Sequence, residues 1–153
     1  MNRILVTGSE SFIGKELILA LKEKNFFVFG IDKIKKSKFT NISLDINSKY
    51  INDIIKKNNI NIIVHLAAIS RDSDCKKDVL MTFKSNVLGT LNLIEIAKKN
   101  NIKNFIFASS EWVYDSFDAN KEKKENNFIN IQKITSEYAL SKLVSENNLR
   151  QFY

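Results

Sequence analysis

The chain has 153 residues, 44% of them apolar and 27% charged, which suits one domain with a single core and excludes a disordered chain. No apolar run approaches the roughly 20 residues of a membrane helix, and the lone Cys75 excludes an intramolecular disulfide or a cysteine-held metal cluster. Of the 24 basic residues 21 are lysines, scattered and mostly near Asn, Glu or Asp, so the net charge of +7 describes a solvated surface rather than a nucleic-acid face.

In chain order the pattern alternates strand and helix. Arg3 to Thr7 is a β-branched run ending at Gly8, and Phe12 to Lys24 has Ile13, Leu17, Ala20 and Leu21 at helical spacing. Phe26 to Ile31 is a second strand that ends at Asp32. A lysine-rich loop leads to a short third strand, Asn41 to Leu44, followed by Asp45. Tyr50 to Lys57 reads as a helix, and Asn61 to Leu66 as a largely apolar strand buried on both faces. A long helix is expected over Lys77 to Lys99, with Leu80, Phe83, Val87, Leu91, Ile94 and Ala97 on its apolar face. The fifth strand, Asn104 to Ala108, ends at Ser109-Ser110. A polar loop, Asp115 to Asn130, precedes a last helix over Lys133 to Leu149. Such alternation gives an α/β fold, a doubly wound parallel Rossmann-type sheet of order 3-2-1-4-5. Its cleft should lie at the carboxyl ends of strands 1 and 4. The last helix should feed a sixth strand, so the chain reads as cut off before it.

Thr7-Gly8-Ser9-Glu10-Ser11-Phe12-Ile13-Gly14 joins the first strand to the first helix. Gly8 permits the tight turn, Gly14 close helix packing, and the amides of residues 11 to 13 point at a pyrophosphate. Ser11 stands where glycine usually lets backbone approach phosphate. Asp32, 24 residues after Gly8, would accept hydrogen bonds from both ribose hydroxyls and disfavour a 2′-phosphate, which favours NAD. Lys33, Lys35 and Lys36 could neutralise that phosphate and admit NADP. Asp45 with Ile46 ends the third strand either beside the adenine or as a polar strand-end cap.

Seven segments in order resemble the extended short-chain dehydrogenase/reductases, specifically the NAD-dependent epimerase/dehydratase family acting on nucleotide sugars. They are Thr7 to Gly14, Ile31-Asp32, Asp45-Ile46, His65 to Ala68, Asn86 to Thr90, Ser109 to Tyr114 and Tyr138 to Lys142. The resemblance covers essentially the whole chain, while family members are about twice as long. It implies that this is an N-terminal NAD-binding domain, residues 1–153, without the sixth strand and the sugar-binding C-terminal domain. It also implies a cytoplasmic enzyme that forms a homodimer when complete. Carried over, Phe12 and Ile13 line the pyrophosphate, Asp32 takes the ribose, and Asp45 with Ile46 brackets adenine. Leu66, Ala67 and Ala68 pass under the nicotinamide ribose with Asn86 beside them.

Ser110, Tyr138 and Lys142 are the implied catalytic set. Tyr138 and Lys142 share a helix face at i and i+4. An ordinary phenol, with a pKa of about 10, is a poor base at neutral pH. Lys142 and the nicotinamide are expected to lower it, so that Tyr138 takes the proton of a sugar hydroxyl while Ser110 bonds the same oxygen. Lys142 would also hold the nicotinamide ribose. Sugar 4,6-dehydratases of the family carry an acid-base Asp-Glu pair after the Ser/Thr. Here Glu111 can stand for the first, but Trp112, a packing or sugar-stacking residue, cannot transfer a proton. The resemblance therefore leans to a 4-epimerase or reductase, with a dehydratase or a non-catalytic dinucleotide-binding module as alternatives. His65 and Cys75 have no metal-ligand or reactive neighbourhood in the sequence.

Overall fold

The computed structural model describes residues 2–34, 37–114 and 122–152. Lys35, Lys36 and the 115–121 part of the polar loop lie outside the described residues. Five parallel strands, β1 (Arg3–Thr7), β2 (Phe27–Asp32), β3 (Ile42–Ser43), β4 (Ile62–His65) and β5 (Asn104–Phe107), form one sheet of order β3-β2-β1-β4-β5. This is the doubly wound order expected from the alternation of strands and helices. Register is set by the central strand: Thr7 sits opposite Ile31 on one side and His65 on the other. The ends of β1, β2 and β4 therefore open on the same side of the sheet.

Leu5, Ile31 and Ile63 project to one face and pack with Ile51, Ile55, Leu93 and Ile96; Ile4, Val6 and Val64 pack with Ile18 on the other. Both faces of the central strands are thus covered, as parallel sheets require. Helix α1 (Phe12–Glu23) covers the second face, and α2 (Ile51–Lys57) with α5 (Gly89–Lys99) covers the first. Positive φ at Asn25, Asn59 and Asn101 follows three helix ends. There asparagine takes the left-handed position that glycine holds elsewhere.

Two helices differ in detail from the sequence reading. The long helix expected over Lys77 to Lys99 runs from Val79 to Lys99 with a π-helical turn inside it. A short α3 (Asp72–Lys77) ends at Asp78, whose side chain accepts from the Met81 amide and caps a new helix, α4 (Val79–Phe83). A π-helical turn (Lys84–Leu88) then leads into α5, which leaves Leu80 81% exposed rather than on the buried face. The last helix, α6 (Glu137–Phe152), starts four residues after the expected Lys133. Ser136 accepts from the Ala139 amide at its start, and Lys133 belongs to a separate turn, Ile131–Lys133. Among the described residues no helix is long and apolar enough to cross a membrane.

Candidate active site

The turn after β1 is fixed by its glycines. Gly8 has φ +71, and a Cβ there would stand 2.8 Å from the Ala67 amide nitrogen, so only glycine fits beneath the loop after β4. Ser11 is the N-cap of α1: its hydroxyl oxygen accepts from the Gly14 amide at 3.0 Å. Phe12 and Ile13 follow it in the first turn of α1 with exposed side chains, where helix amides lack an intrahelical partner.

A cavity of about 260 Å³ opens in front of this turn, lined by Gly8, Glu10, Ser11, Asp32, Lys33, Ile46 and the Leu66–Ile69 segment. Asp32 accepts from the Glu10 amide at 2.9 Å and from the Ile34 amide at 3.1 Å, one to each oxygen. Each oxygen retains a lone pair for an incoming hydroxyl. Ile46 lines the cavity, and Asp45 stands beside it just past the end of β3. Its carboxylate accepts from the Asn47 amide at 2.8 Å and pairs with Lys33 at 2.9 Å, which is the strand-end cap. Burial raises its pKa, but the bonds from Asn47 and Lys33 outweigh that and hold it below the usual range.

Asn86 sits in the π-helical turn behind the cavity, 2% exposed. Its side chain brackets the Ile69 backbone, accepting from the amide at 2.8 Å and donating to the carbonyl at 2.9 Å, and it donates to Ser141 of α6 at 3.0 Å. It therefore shapes the wall beside Leu66, Ala67 and Ala68 and ties that wall to the last helix.

His65, set aside in the sequence reading, is a hub. Nδ1 lies 2.7 Å from Thr7 Oγ1 and Nε2 2.9 Å from Thr90 Oγ1. Thr90 donates its own proton to the Asn86 carbonyl at 2.6 Å, so Nε2 carries the imidazole proton and Thr7 donates to Nδ1. Thr7 Oγ1 in turn accepts from the Ala67 amide. Burial, together with the charge of Lys142, pushes the imidazole pKa down to about 3, so it stays neutral. Cys75 is buried, donates to the Ile69 carbonyl at 3.4 Å, and has its thiol pKa raised by burial.

Ser110 follows β5 and opens the turn Glu111–Tyr114, anchored by the buried Val113. Its hydroxyl accepts from the Trp112 amide at 3.3 Å and donates to the Glu111 carboxylate at 3.4 Å, and it lies near enough to the Tyr138 phenol to favour the phenolate. Trp112 stands edge-on to the Tyr138 ring, centroids 6.4 Å apart, so it packs against the tyrosine. Lys142, 3% exposed, donates to the Ala108 carbonyl at 2.7 Å and lies 4.6 Å over the Phe107 ring. Burial brings its pKa down to about 8. The expected lowering of the phenol by Lys142 is not found. Burial and the Glu111 carboxylate raise Tyr138 above its ordinary value, with Ser110 opposing them in part.

The turn, the carboxylate at the end of β2 and the Ser-Tyr-Lys cluster occupy one side of the sheet, and residues 4–152 match the NAD dependent epimerase/dehydratase family. The chain belongs to this family. The "dTDP-D-glucose 4,6-dehydratase" of Dictyostelium discoideum is 30% identical over 100% of this chain and 41% of its own length. A "Putative UDP-glucose 4-epimerase" of Methanocaldococcus jannaschii is 30% identical over 97% of this chain and 50% of its own. The solved structure of MoeE5 in complex with UDP-glucose and NAD superposes with a TM-score of 0.87 at 27% identity, over 99% of this chain and 49% of that one. The chain thus spans about half, or less, of each of these three relatives. Glu10 on the cavity wall and the threonines on either side of His65 are the residues of this region that the sequence reading did not single out.

Proposed function

We propose that the complete protein is an NAD-dependent nucleotide-sugar oxidoreductase of the 4-epimerase type. The observation that carries this is buried Lys142 with its ammonium 5.8 Å from the centre of the Tyr138 ring, and Ser110 near that phenol at the end of β5, on the same sheet whose β1 and β2 ends wall the Gly8–Asp32 cavity. NAD fits the residues present: the glycine turn allows close approach, the α1 amides hold a pyrophosphate, and Asp32 accepts from ribose hydroxyls. Ile46, Leu66 and Ala67 supply apolar walls, and Lys142 holds the nicotinamide ribose.

When bound, NAD would supply the hydride acceptor for the sugar carbon. Tyr138 takes the proton of the sugar hydroxyl, and Ser110 donates to the same oxygen as its charge changes. A cation close to the phenol favours phenolate, so the lowering that Tyr138 needs arises only once the dinucleotide is in place. The dehydratase relative is 30% identical over the whole chain. Trp112 favours the epimerase reading, because its indole N–H is far too weak an acid to replace the carboxyl group that dehydration would use.

Val79, Leu80, Met81 and Leu88, all at least 40% exposed, give α4 and the turn after it an apolar outer face that supports a homodimer. By itself this 153-residue chain is proposed to turn over no sugar. Hydride transfer needs the reacting carbon held within roughly 3–3.5 Å, and nothing in the described cleft grips a second nucleotide.

The test is product analysis on UDP-sugars with the chain and with the complete reading frame, with and without Tyr138→Phe. Inversion at C4 by the complete protein, abolished in the variant, supports the reading. A dehydrated product, turnover that survives Tyr138→Phe, or equal turnover by this chain alone would each sink its part of it.

A further inference from the structure

Glu10 sits in the middle of the glycine turn, yet its side chain is only 7% exposed. Its carboxylate accepts from Thr40 Oγ1 at 2.7 Å and from the Ser37 hydroxyl, and Lys15 stands 3.5 Å away. Thr40 is buried and shares a 2.7 Å hydrogen bond with Ser9 Oγ. The Glu10 amide donates to Asp32, and both residues line the same cavity. Lys15 and Lys33 add no unmatched positive charge, since each is already held by a carboxylate, Lys33 by Asp45. The hydroxyls of Ser37 and Thr40, with Lys15 beyond them, keep the Glu10 pKa below its usual range, so the charge persists at neutral pH.

The geometry points to Glu10 as a second specificity-determining carboxylate, which works with Asp32 to exclude a dinucleotide bearing a 2′-phosphate. The inference rests on the NAD reading above and adds a residue to it. Asp32 bonds the ribose hydroxyls directly. Glu10 acts through its field, and its own hydrogen bonds fix its direction. Ser37 and Thr40, its donors, lie between β2 and β3.

The experiment is calorimetric titration of this chain with NAD and with NADP, for wild type, Glu10→Gln and Lys15→Gln. Glutamine keeps an oxygen for Thr40 and Ser37 but removes the charge. The ratio Kd(NADP)/Kd(NAD) should fall about 5-fold in Glu10→Gln, on the order expected for one carboxylate acting on a phosphate several ångströms away in a partly aqueous site. It should rise in Lys15→Gln, which strips Glu10 of its cation, and both changes should shrink with added salt. A loop clamp without an electrostatic role would alter both affinities together and leave the ratio alone. A ratio unchanged in Glu10→Gln, with NAD still bound, overturns the role of Glu10 and spares the NAD reading. If Glu10→Gln does not fold, Lys15→Gln decides, and an unmoved ratio there overturns it equally. A wild type that binds neither dinucleotide, or prefers NADP, overturns the NAD reading itself.

Discussion

The Lys142 ammonium donates to the Ala108 carbonyl at 2.7 Å and stands 5.8 Å from the centre of the Tyr138 ring. The lysine is thus anchored to the end of β5 beneath the ring rather than bonded to the phenol. Tyr138 loses solvation by burial and faces Glu111, and both raise its pKa.

The first prediction is therefore that Tyr138 titrates above the ordinary tyrosine value in the absence of dinucleotide. Difference ultraviolet titration of wild type against Tyr138→Phe isolates this one phenol. Adding NAD should move the transition to lower pH, because the positive nicotinamide stabilises phenolate. A transition below the ordinary value without NAD would show that Lys142 acts on the phenol after all.

The second prediction concerns the cap of α1. Ser11→Ala removes the acceptor of the Gly14 amide and should cost about 1 kcal/mol, whereas Ser11→Gly should cost only a few tenths. Denaturant unfolding of the two variants measures the difference. Equal losses would mean that the hydroxyl does not carry the cap.

How much of this was legible in the sequence depends on where each residue's partners lie. Gly8, Asp32 and the strand order were readable because the turn and the alternation of elements are local patterns. The break at Asp78 was readable in principle, since an aspartate before Val79-Leu80-Met81 is an N-cap signal. The π-helical turn was not, because one extra residue in a helical run leaves no mark on composition. The cap contacts of Asp45 with Lys33 and Asn47 became visible only with the fold. Glu10 and His65 were opaque for one reason: their partners come from 25 to 58 residues away, brought near only by the sheet register.

The third prediction tests Asn86 as the pin between the cavity wall and α6. Asn86→Ala leaves the Ile69 amide and carbonyl without their side-chain partner in a buried place and should destabilise by about 2–4 kcal/mol. Asn86→Asp keeps one acceptor but sets a carboxylate oxygen against the Ile69 carbonyl. Its loss should be larger at neutral than at acidic pH, where the carboxyl can donate. Unfolding curves at two pH values decide, and a pH-independent loss in Asn86→Asp would refute the bond to the carbonyl.

The last prediction follows from His65. In the folded chain its pKa lies at about 3, against an ordinary value of 6.5. Between those values the unfolded chain carries the imidazole proton and the folded chain does not. The unfolded state thus binds more protons, and stability rises with pH across the window. The contribution is complete above pH 6.5 and is lost as the pH falls towards 3, at up to about 1.4 kcal/mol per unit. Carboxylates such as Asp45, whose pKa is lowered on folding, add a loss of the same sign at the acid end. The part belonging to His65 is therefore isolated between pH 6.5 and 5, before most carboxylates protonate. His65→Gln can still donate to Thr90 or accept from Thr7, but it cannot titrate. Its unfolding free energy at neutral pH should be lower than wild type, while its slope between pH 6.5 and 5 should be close to flat. Wild type should decline over the same interval. Parallel slopes in the two proteins would mean that the imidazole protonates in the folded state, and the Thr7–His65–Thr90 arrangement would then need a charged ring.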